Sequence, residues 1–244
     1  MTACSLDLAN LKNLTALWDA LGATQQVHPS ASLWISDSWP HKCWINPRDP
    51  QTPISDDVEL SERLIFPVWG LGDVLARETS FKNLGYEVNS EQTAMVLSAE
   101  ARTHISATHN DIDMKQVVDA DDAFLWSGIC AEAFGYAIDP GPIRELIGND
   151  QASVFLAAVD GEAAGTAILY RTDHITGIHQ VGVRPLFRGN GLARRMMEAT
   201  IDHAFRCGAQ HITLQASPAG KPLYDQLGFR DQFQIRNYKK GTKQ

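Results

Sequence analysis

The chain of 244 residues is long enough for one large domain or two small ones, and its 44% hydrophobic and 20% charged residues are typical of a soluble globular protein. The formal net charge of −8 argues against a nucleic-acid binder, because no basic surface is expected to neutralise phosphates. The four cysteines are scattered without a Cys-x-x-Cys pair, which argues against a disulfide framework or a metal site of the zinc type.

The N-terminal segment has no basic region ahead of an apolar run, so we do not expect a signal peptide. No window reaches the roughly 18 apolar residues of a membrane span. Together these features predict a cytoplasmic protein that has no membrane partner.

The first hundred residues read as an alternation of short helices and strands. Leucines at helical spacing over residues 8–21 predict an amphipathic helix that Gly22 ends. Residues 59–69 fit a helix or a strand equally well. The other expectations are two short strands, a proline-rich turn, a helix, a strand and a polar linker, at residues 33–35, 43–45, 46–53, 72–84, 93–98 and 99–113.

Tryptophan is concentrated at the start of the chain, with five of the six residues before position 70. Such a cluster fits either a ligand-binding aromatic pocket or a packed core. We favour packing, because large aromatic side chains contribute most of their free energy through buried area.

The second half has clearer periodicity. Asp119 is a predicted N-cap for a helix that runs to about residue 134. A hairpin is expected about Asp160-Gly161. The remaining expectations are strands, a turn and short helices at residues 114–118, 139–142, 143–147, 154–159, 164–171, 178–183, 211–216, 220–227 and 232–238.

The most informative stretch is residues 177–208, in which a strand, a glycine-rich turn and a helix follow one another. Arg184-Pro185 ends the strand, and Gly189 and Gly191 precede the helix. The free amides of a helix N-terminus bind anions, and glycines let a diphosphate approach the backbone. The alternative is a strand–turn–helix connection that needs glycine only for its backbone conformation and binds no phosphate. This alternative stays open because neither a Walker loop nor a complete dinucleotide fingerprint is present.

Two motifs together resemble the GNAT N-acetyltransferase superfamily. Residues 188–193 (Arg-Gly-Asn-Gly-Leu-Ala) match its acetyl-CoA motif, and residues 223–229 (Leu-Tyr-x-x-Leu-Gly-Phe) match its C-terminal motif. The resemblance covers roughly residues 112–240. It implies an α+β protein (an α/β mixed sheet) of the GNAT-like acyl-CoA N-acyltransferase fold, with a splayed central mixed β-sheet flanked by helices.

The first half is then expected to be a smaller α/β lobe. Residues 81–86 (Phe-x-x-Leu-Gly-Tyr) weakly repeat residues 224–229, which suggests a degenerate GNAT-like domain without a cofactor site, although coincidence remains open. We therefore predict a lobe over residues 1–105 and a catalytic domain over residues 110–244 that binds acetyl-CoA by itself.

The resemblance also implies the cofactor site and the general acid. Tyr224 is the expected proton donor to the departing thiolate, because a phenol is protonated at neutral pH. Arg188 is expected either to contact phosphate or to be a solvated turn residue. The predicted acetyl-CoA contacts are Val181, Gly182, Val183, Arg188, Gly189, Asn190, Gly191, Leu192, Ala193, Arg194 and Ser217.

The base and the acceptor are less defined by the sequence. His179 is a candidate base with a suitable ordinary pKa, but a histidine in a strand is more often a hydrogen-bonded structural residue, and Gln215 stands where many relatives have glutamate. Tyr136 and Asp139 are expected to line the acceptor pocket.

The expected reaction is acetyl transfer from acetyl-CoA to the primary amine of a small molecule, by a monomer or homodimer. A non-catalytic acyl-CoA-binding or regulatory protein and a transferase for peptide N-termini remain alternatives.

Overall fold

The computed structural model describes residues 3–27, 32–46, 61–104 and 112–241. Short 3-10 helices occupy Ala99–His104 and Pro185–Phe187. The helices are α1 (Ala3–Ala20), α2 (Val74–Asn83), α3 (Ala120–Phe134), α4 (Pro140–Glu145), α5 (Leu192–Arg206) and α6 (Lys221–Gln226). The strands are β1 (Thr24–Val27), β2 (Ser32–Ile35), β3 (Cys43–Ile45), β4 (Ile65–Trp69), β5 (Tyr86–Ser98), β6 (Asp113–Gln116), β7 (Ala152–Val159), β8 (Glu162–Thr172), β9 (Ile175–Val183), β10 (His211–Ala216) and β11 (Arg230–Lys240).

A mixed sheet of eight strands forms the centre of the protein, in the order β4-β11-β5-β10-β9-β8-β7-β6. β9 and β10 are parallel, and the other neighbours are antiparallel. The short strands β1, β2 and β3 form a separate antiparallel sheet. None of the helices in the described ranges is long and apolar enough to cross a membrane. The predicted mixed α/β architecture is confirmed.

Most predicted elements are confirmed, and the differences have local causes. The ambiguous segment contains β4, and the strand predicted at residues 93–98 begins earlier, at Tyr86. The short helix predicted at residues 143–147 begins at Pro140, because the Asp139 carboxylate accepts a hydrogen bond from Gly141 N at 2.8 Å and caps it. Most of the proline-rich turn lies outside the described residues.

The large sheet crosses the predicted domain boundary. β5 from the first half lies between β10 and β11 of the second half, and its residues Ala94, Met95 and Leu97 are fully buried. Residues 110–244 alone lack a central strand of this sheet, which argues against a self-sufficient unit, and the division into two domains stays a prediction. Local patterns predict that a strand forms, but they carry no information about partners so far along the chain.

The weak internal repeat corresponds to a structural exchange. Each copy of the repeat lies at the C-terminal end of a helix within a strand–helix–strand unit. The unit is β4–α2–β5 in the first half and β10–α6–β11 in the second. Gly85 and Gly228, which follow these helices, both have positive φ, at 76° and 87°. In the sheet, β4 pairs with β11 and β10 pairs with β5, so each unit contributes its last strand to the other. Such reciprocity supports the interpretation as a degenerate repeat, which stays a prediction.

Apolar cores lie on both faces of the sheet. On one face α1, α3 and α4 pack around Trp126, Ile143 and Ile168. On the other face α5 contributes Met197 and Ile201 to a core that also contains Leu227 from the end of α6. The sheet is thus covered by helices from both halves of the chain, which fixes α1 against β8 and β9.

The tryptophans of the first half belong to the core, as predicted. Trp18 lies between Trp44, at 5.1 Å between ring centroids, and Trp69, at 6.1 Å. Trp39 packs edge-on against Trp126 of α3 at 6.4 Å. These four residues of the first half are at most 7% exposed, so their packing ties α1 and the small sheet to the large one.

Lys42 carries an ammonium group into this aromatic region. Its Nζ donates to Asn237 Oδ1 at 3.0 Å and lies 5.6 Å from the Trp18 ring centroid. Burial lowers the pKa of Lys42 from 10.5 to about 8. The unfolded chain therefore binds more protons between these two pKa values, so the free energy of unfolding rises with pH across that window.

We expect Lys42→Met to stabilise the protein at pH 7 by about 1 to 3 kcal/mol, since the native state no longer holds a desolvated ammonium. The gain should shrink as the pH rises from about 8 towards 10.5, where the native lysine is already neutral. Urea denaturation at pH 7 and pH 10 measures this difference in the free energy of unfolding between the variant and the wild type. Lys12→Met, at an exposed position of α1, is the control. A Lys42→Met protein that is less stable than the wild type at pH 7 would contradict this account.

Candidate active site

The two parallel strands β9 and β10 separate along their length. They pair only between Ile175–Gly177 and His211–Thr213, although β9 continues to Val183 and β10 to Ala216. We call the opening beyond this pairing the fork. At the fork, the edge of β9 that faces β10 has no strand partner within the described ranges, so its peptide groups are available to an extended ligand. The acetyl-CoA contacts that the sequence predicts at residues 181–183 lie on this segment of β9.

A bulge lies in the part of β9 that has separated from β10. Gln180 has a φ of 50°, and the register with β8 shifts beside it. Its carbonyl accepts from Thr166 Oγ1 at 3.0 Å, and its Oε1 lies 3.7 Å from Cys130 Sγ. An added Cβ at Gly182 would lie 2.8 Å from Ala133 Cβ, so α3 packs directly on this strand. No pattern in the sequence pointed to this role of Gln180.

The glycine-rich turn presents the N-terminus of α5 beside the fork. Gly189 and Gly191 have φ values of 84° and 73°, a region that other L-residues rarely adopt, and an added Cβ would meet nothing within 4 Å at either position. Gly191 caps α5 without a side-chain hydrogen bond. The first amides of a 15-residue helix therefore face open space, as a diphosphate site requires.

The two arginines at this turn have protein partners. Arg188 donates from Nε to Val183 O at 3.0 Å and from Nη2 to Ala133 O at 2.6 Å, so its guanidinium holds the end of β9 against α3. Arg194 donates to Gln226 Oε1 and thereby joins α5 to α6. These contacts favour structural roles, and phosphate contacts by the two arginines stay predictions.

The other predicted residues of the turn divide by burial. Leu192 is 2% exposed and anchors the start of α5 in the core, and Ala193 is half-buried. Asn190 is exposed between the two glycines. Of these three, Asn190 is the side chain that is accessible to a ligand above the turn.

Tyr224 lies on α6, which follows β10 directly. An added Cβ at Gly220 would lie 3.6 Å from its hydroxyl, and its ring meets Phe229 edge-on at 6.0 Å. Burial raises the pKa of Tyr224 above its ordinary value of 10.0, so the phenol is protonated at neutral pH. Ser217 Oγ accepts from Gly220 N at 3.2 Å and thus helps to begin α6.

His179 lies beneath the fork, against α1. Its side chain is 7% exposed, and its Nε2 is 3.1 Å from Asn13 Oδ1. Burial lowers the pKa of His179 to about 4, although a hydrogen bond with Gln215 acts in the opposite direction. The imidazole is therefore neutral at pH 7 and a weak proton acceptor. The geometry favours a structural histidine, and the base role stays a prediction.

The predicted acceptor residues differ in their contacts. Tyr136 is 49% exposed; burial of the phenol raises its pKa, and hydrogen bonds with Trp39 and Gln180 act to lower it. Tyr136 therefore brings α3 and the Trp39 loop to the fork. Asp139 is exposed and caps α4, which explains its position without a ligand.

Two asparagines of α1 are part of the site that sequence reasoning missed. Asn10 and Asn13 are fully buried, and an added Cβ at Gly177 would lie 1.9 Å from Asn13 Oδ1, so α1 rests directly on β9 where the fork begins. The signal was present in the sequence. These polar residues, three positions apart, interrupt the apolar pattern of the predicted helix.

Residues 123–229 match the model of the Acetyltransferase (GNAT) family. This segment, slightly less than half of the chain, is therefore similar to GNAT acetyltransferases. The matched segment contains the fork, the turn and Tyr224, so the family match and the site geometry concern the same residues. A search of curated protein sequences finds no significant match.

Solved structures of GNAT proteins share the fold of the whole chain. A GCN5-related N-acetyltransferase from Kribbella flavida has a TM-score of 0.67 at 15% identity, with 99% of this chain and 96% of that chain covered. A GCN5-related N-acetyltransferase from Sphaerobacter thermophilus has a TM-score of 0.61 at 14% identity, with coverage of 86% and 76%. A tandem GNAT protein from the clavulanic acid biosynthesis pathway has a TM-score of 0.54 at 10% identity, with coverage of 88% and 80%. The GNAT fold thus extends to the first half.

Proposed function

We propose that this protein is an N-acetyltransferase that transfers an acetyl group from acetyl-CoA to the primary amine of a small molecule. The observation that carries the proposal is the fork, since the glycine-rich turn and α5 follow β9 and α6 with Tyr224 follows β10. A strand edge, an anion site and a proton donor are the parts that acyl transfer from an extended phosphorylated thioester requires.

The residues present fit acetyl-CoA. The open space about Gly189 and Gly191 leaves room for a diphosphate at the first amides of α5. The unpaired edge of β9 offers peptide groups that can bind the pantetheine arm by main-chain hydrogen bonds. When bound, acetyl-CoA supplies the activated acetyl thioester.

The protein groups then have distinct tasks. Peptide N–H groups at residues 181–183 bind the cofactor arm and polarise the thioester carbonyl. With acetyl-CoA bound, the amine would form the new C–N bond and the C–S bond would break, with the Tyr224 hydroxyl giving its proton to the departing sulfur. The amine would release one proton to solvent, and the Tyr224 phenolate would take one back from solvent, so that the protons balance. Phe134 and Tyr136, both exposed and with ring centroids 6.0 Å apart, provide an apolar wall for the amine-bearing molecule.

We expect Tyr224→Phe to lower kcat by about 100-fold or more while leaving the Kd for acetyl-CoA nearly unchanged, because it removes a proton donor and keeps the ring. Stopped-flow turnover and equilibrium titration measure the two quantities. Tyr170→Phe is the matched control. The Tyr170 hydroxyl donates a hydrogen bond of 3.1 Å to Gln151 Oε1, and this pair lies away from the fork. An unchanged kcat, under conditions where chemistry limits turnover, would show that the thiolate is protonated by another group.

A non-catalytic acyl-CoA-binding function is the alternative that one observation favours. Gln215 replaces a carboxylate and His179 is neutral, so the described residues offer no strong base at the fork. A panel of primary amines and peptides with acetyl-CoA, read by release of free thiol and by mass spectrometry, separates the functions. N-acetylated small amines would support the proposal. Acetylated peptides would instead identify peptide N-termini as the acceptors. No acetylated product from any acceptor would favour the binding function.

A further inference from the structure

A polar surface of α1 faces the fork through the core. Asp7, Asn10 and Asn13 lie three residues apart on the helix, and both asparagines are fully buried. A buried amide costs free energy unless it is hydrogen-bonded, so two such residues in a leucine-rich helix need a reason beyond packing. Their partners lie on the strands that bound the fork and on the neighbours of those strands.

The partners of Asn10 form a chain of amides with a fixed direction. Gln232 Nε2 donates to Asp7 Oδ1 at 2.9 Å, and Asn10 Nδ2 donates to Gln232 Oε1 at 2.7 Å. Asn10 Nδ2 also donates to Met95 O at 3.2 Å. Gln215 Nε2 then donates to Asn10 Oδ1 at 2.7 Å. We call these side chains the amide relay.

The direction of the relay follows from its ends. A carboxylate and a peptide carbonyl can only accept hydrogen bonds, so Asp7 requires Gln232 to present its nitrogen to Asp7 and its oxygen to Asn10. Asn10 therefore presents its nitrogen to Gln232 and to Met95 O, and its oxygen to Gln215. Gln215 in turn must use its nitrogen on Asn10. The atom of Gln215 that cannot bond Asn10 Oδ1 is its oxygen, Oε1, which can only accept a hydrogen bond.

The imidazole of His179 meets two such oxygens. Asn13 Nδ2 donates to Tyr170 O at 2.8 Å and to Thr172 Oγ1 at 2.9 Å, so Asn13 Oδ1 accepts from His179 Nε2 at 3.1 Å. Gln215 is the other hydrogen-bond partner of the ring. A neutral imidazole has one N–H, so it cannot satisfy both oxygens, and Gln215 Oε1 keeps capacity to accept a hydrogen from elsewhere.

We propose that Asn10 is a positioning residue that holds Gln215 with its Oε1 at the fork, as the hydrogen-bond acceptor for an N–H of the amine substrate. The inference rests on the proposed function. Gln215 is partly exposed, whereas Asn10 is fully buried and acts through it. An amide oxygen orients the amine without taking its proton. The first half thereby contributes to catalysis, through α1.

The first test reads the imidazole of His179 and does not depend on activity. Two-dimensional 15N–1H spectra of histidine-labelled protein, assigned by the loss of one signal in His179→Gln, report the tautomer. Asn10→Leu should shift the His179 signals, because Gln215 loses its anchor. Thr15→Val is the matched control, a buried residue of α1 whose hydroxyl bonds only Leu11 O and Lys12 O of its own helix. Unshifted His179 signals in folded Asn10→Leu protein would overturn the proposal.

The second test is a double-mutant cycle with 2-phenylethylamine as the amine probe. Asn10→Leu and Gln215→Met should each lower kcat/KM for the amine about 2- to 10-fold, the range of one hydrogen bond, and leave KM for acetyl-CoA unchanged. Because Asn10 acts through Gln215, the double variant should lose no more than Gln215→Met. Additive losses would overturn the positioning role. If the wild-type protein does not acetylate this amine, the choice of substrate fails, and the imidazole spectra still decide on the relay.

Discussion

Gly191→Val is expected to abolish the binding of acetyl-CoA. A valine side chain would project into the open space above the first amides of α5, where the diphosphate is proposed to lie, and its φ of 73° strains a β-branched residue. Wild-type protein at ligand concentrations of about 100 times Kd should gain about 2.7 kcal/mol of stability. The valine variant should gain none, as thermal denaturation with and without acetyl-CoA will show.

The control for backbone strain lies at the other end of the same helix. Gly208 has a φ of 89° and equally open surroundings, so Gly208→Val imposes similar strain away from the fork. That variant should lose stability and still be protected by acetyl-CoA. Undiminished protection of folded Gly191→Val protein would remove the proposed diphosphate site.

Residues 110–244 alone are expected not to fold. Without β5, the strands β10 and β11 lose the neighbour between them, and the buried side chains of Met95 and Leu97 leave a gap in the core. Circular dichroism during urea denaturation should show no cooperative transition for this fragment.

Co-expression of residues 1–104 with residues 110–244 is the matched control for the fragment. Because the sheet needs β5 but not its covalent connection to β6, the two pieces should assemble and unfold cooperatively together. A fragment of residues 110–244 that unfolds cooperatively and binds acetyl-CoA by itself would show that the exchange of strands is dispensable.

The helices and strands were predictable from the sequence because hydrophobic periodicity and capping are local. The N-cap at Asp119 and the strand His211–Ala216 are examples. Two motifs mark the candidate site in the sequence, at the turn before α5 and at Tyr224, and the ligand contacts there stay predictions. Contacts between the halves were not, since the position of β5 and the amide relay depend on residues far apart in the chain.

The hydrogen-bond partners of single polar side chains were also not predictable from the sequence. Asp139 and Arg188 were candidates for ligand contacts by their position in the sequence. In the structure Asp139 caps a helix and Arg188 donates to two peptide carbonyls, and their ligand contacts stay predictions. Conversely, Asn10 and Asn13 belong to no motif in the sequence, where they are two polar residues in a leucine-rich helix. Only the packing of α1 on the sheet shows what they bind.

The central claim is that the chain has one cofactor site, formed by β9, the glycine-rich turn and α5, with the first half as a structural and positioning partner. Calorimetric titration of the intact protein with acetyl-CoA tests it most directly. We predict one equivalent per chain, with all binding lost in Gly191→Val and retained in Gly208→Val. Two equivalents per chain, or one that persists in Gly191→Val, would place a working site in the first half and contradict the account.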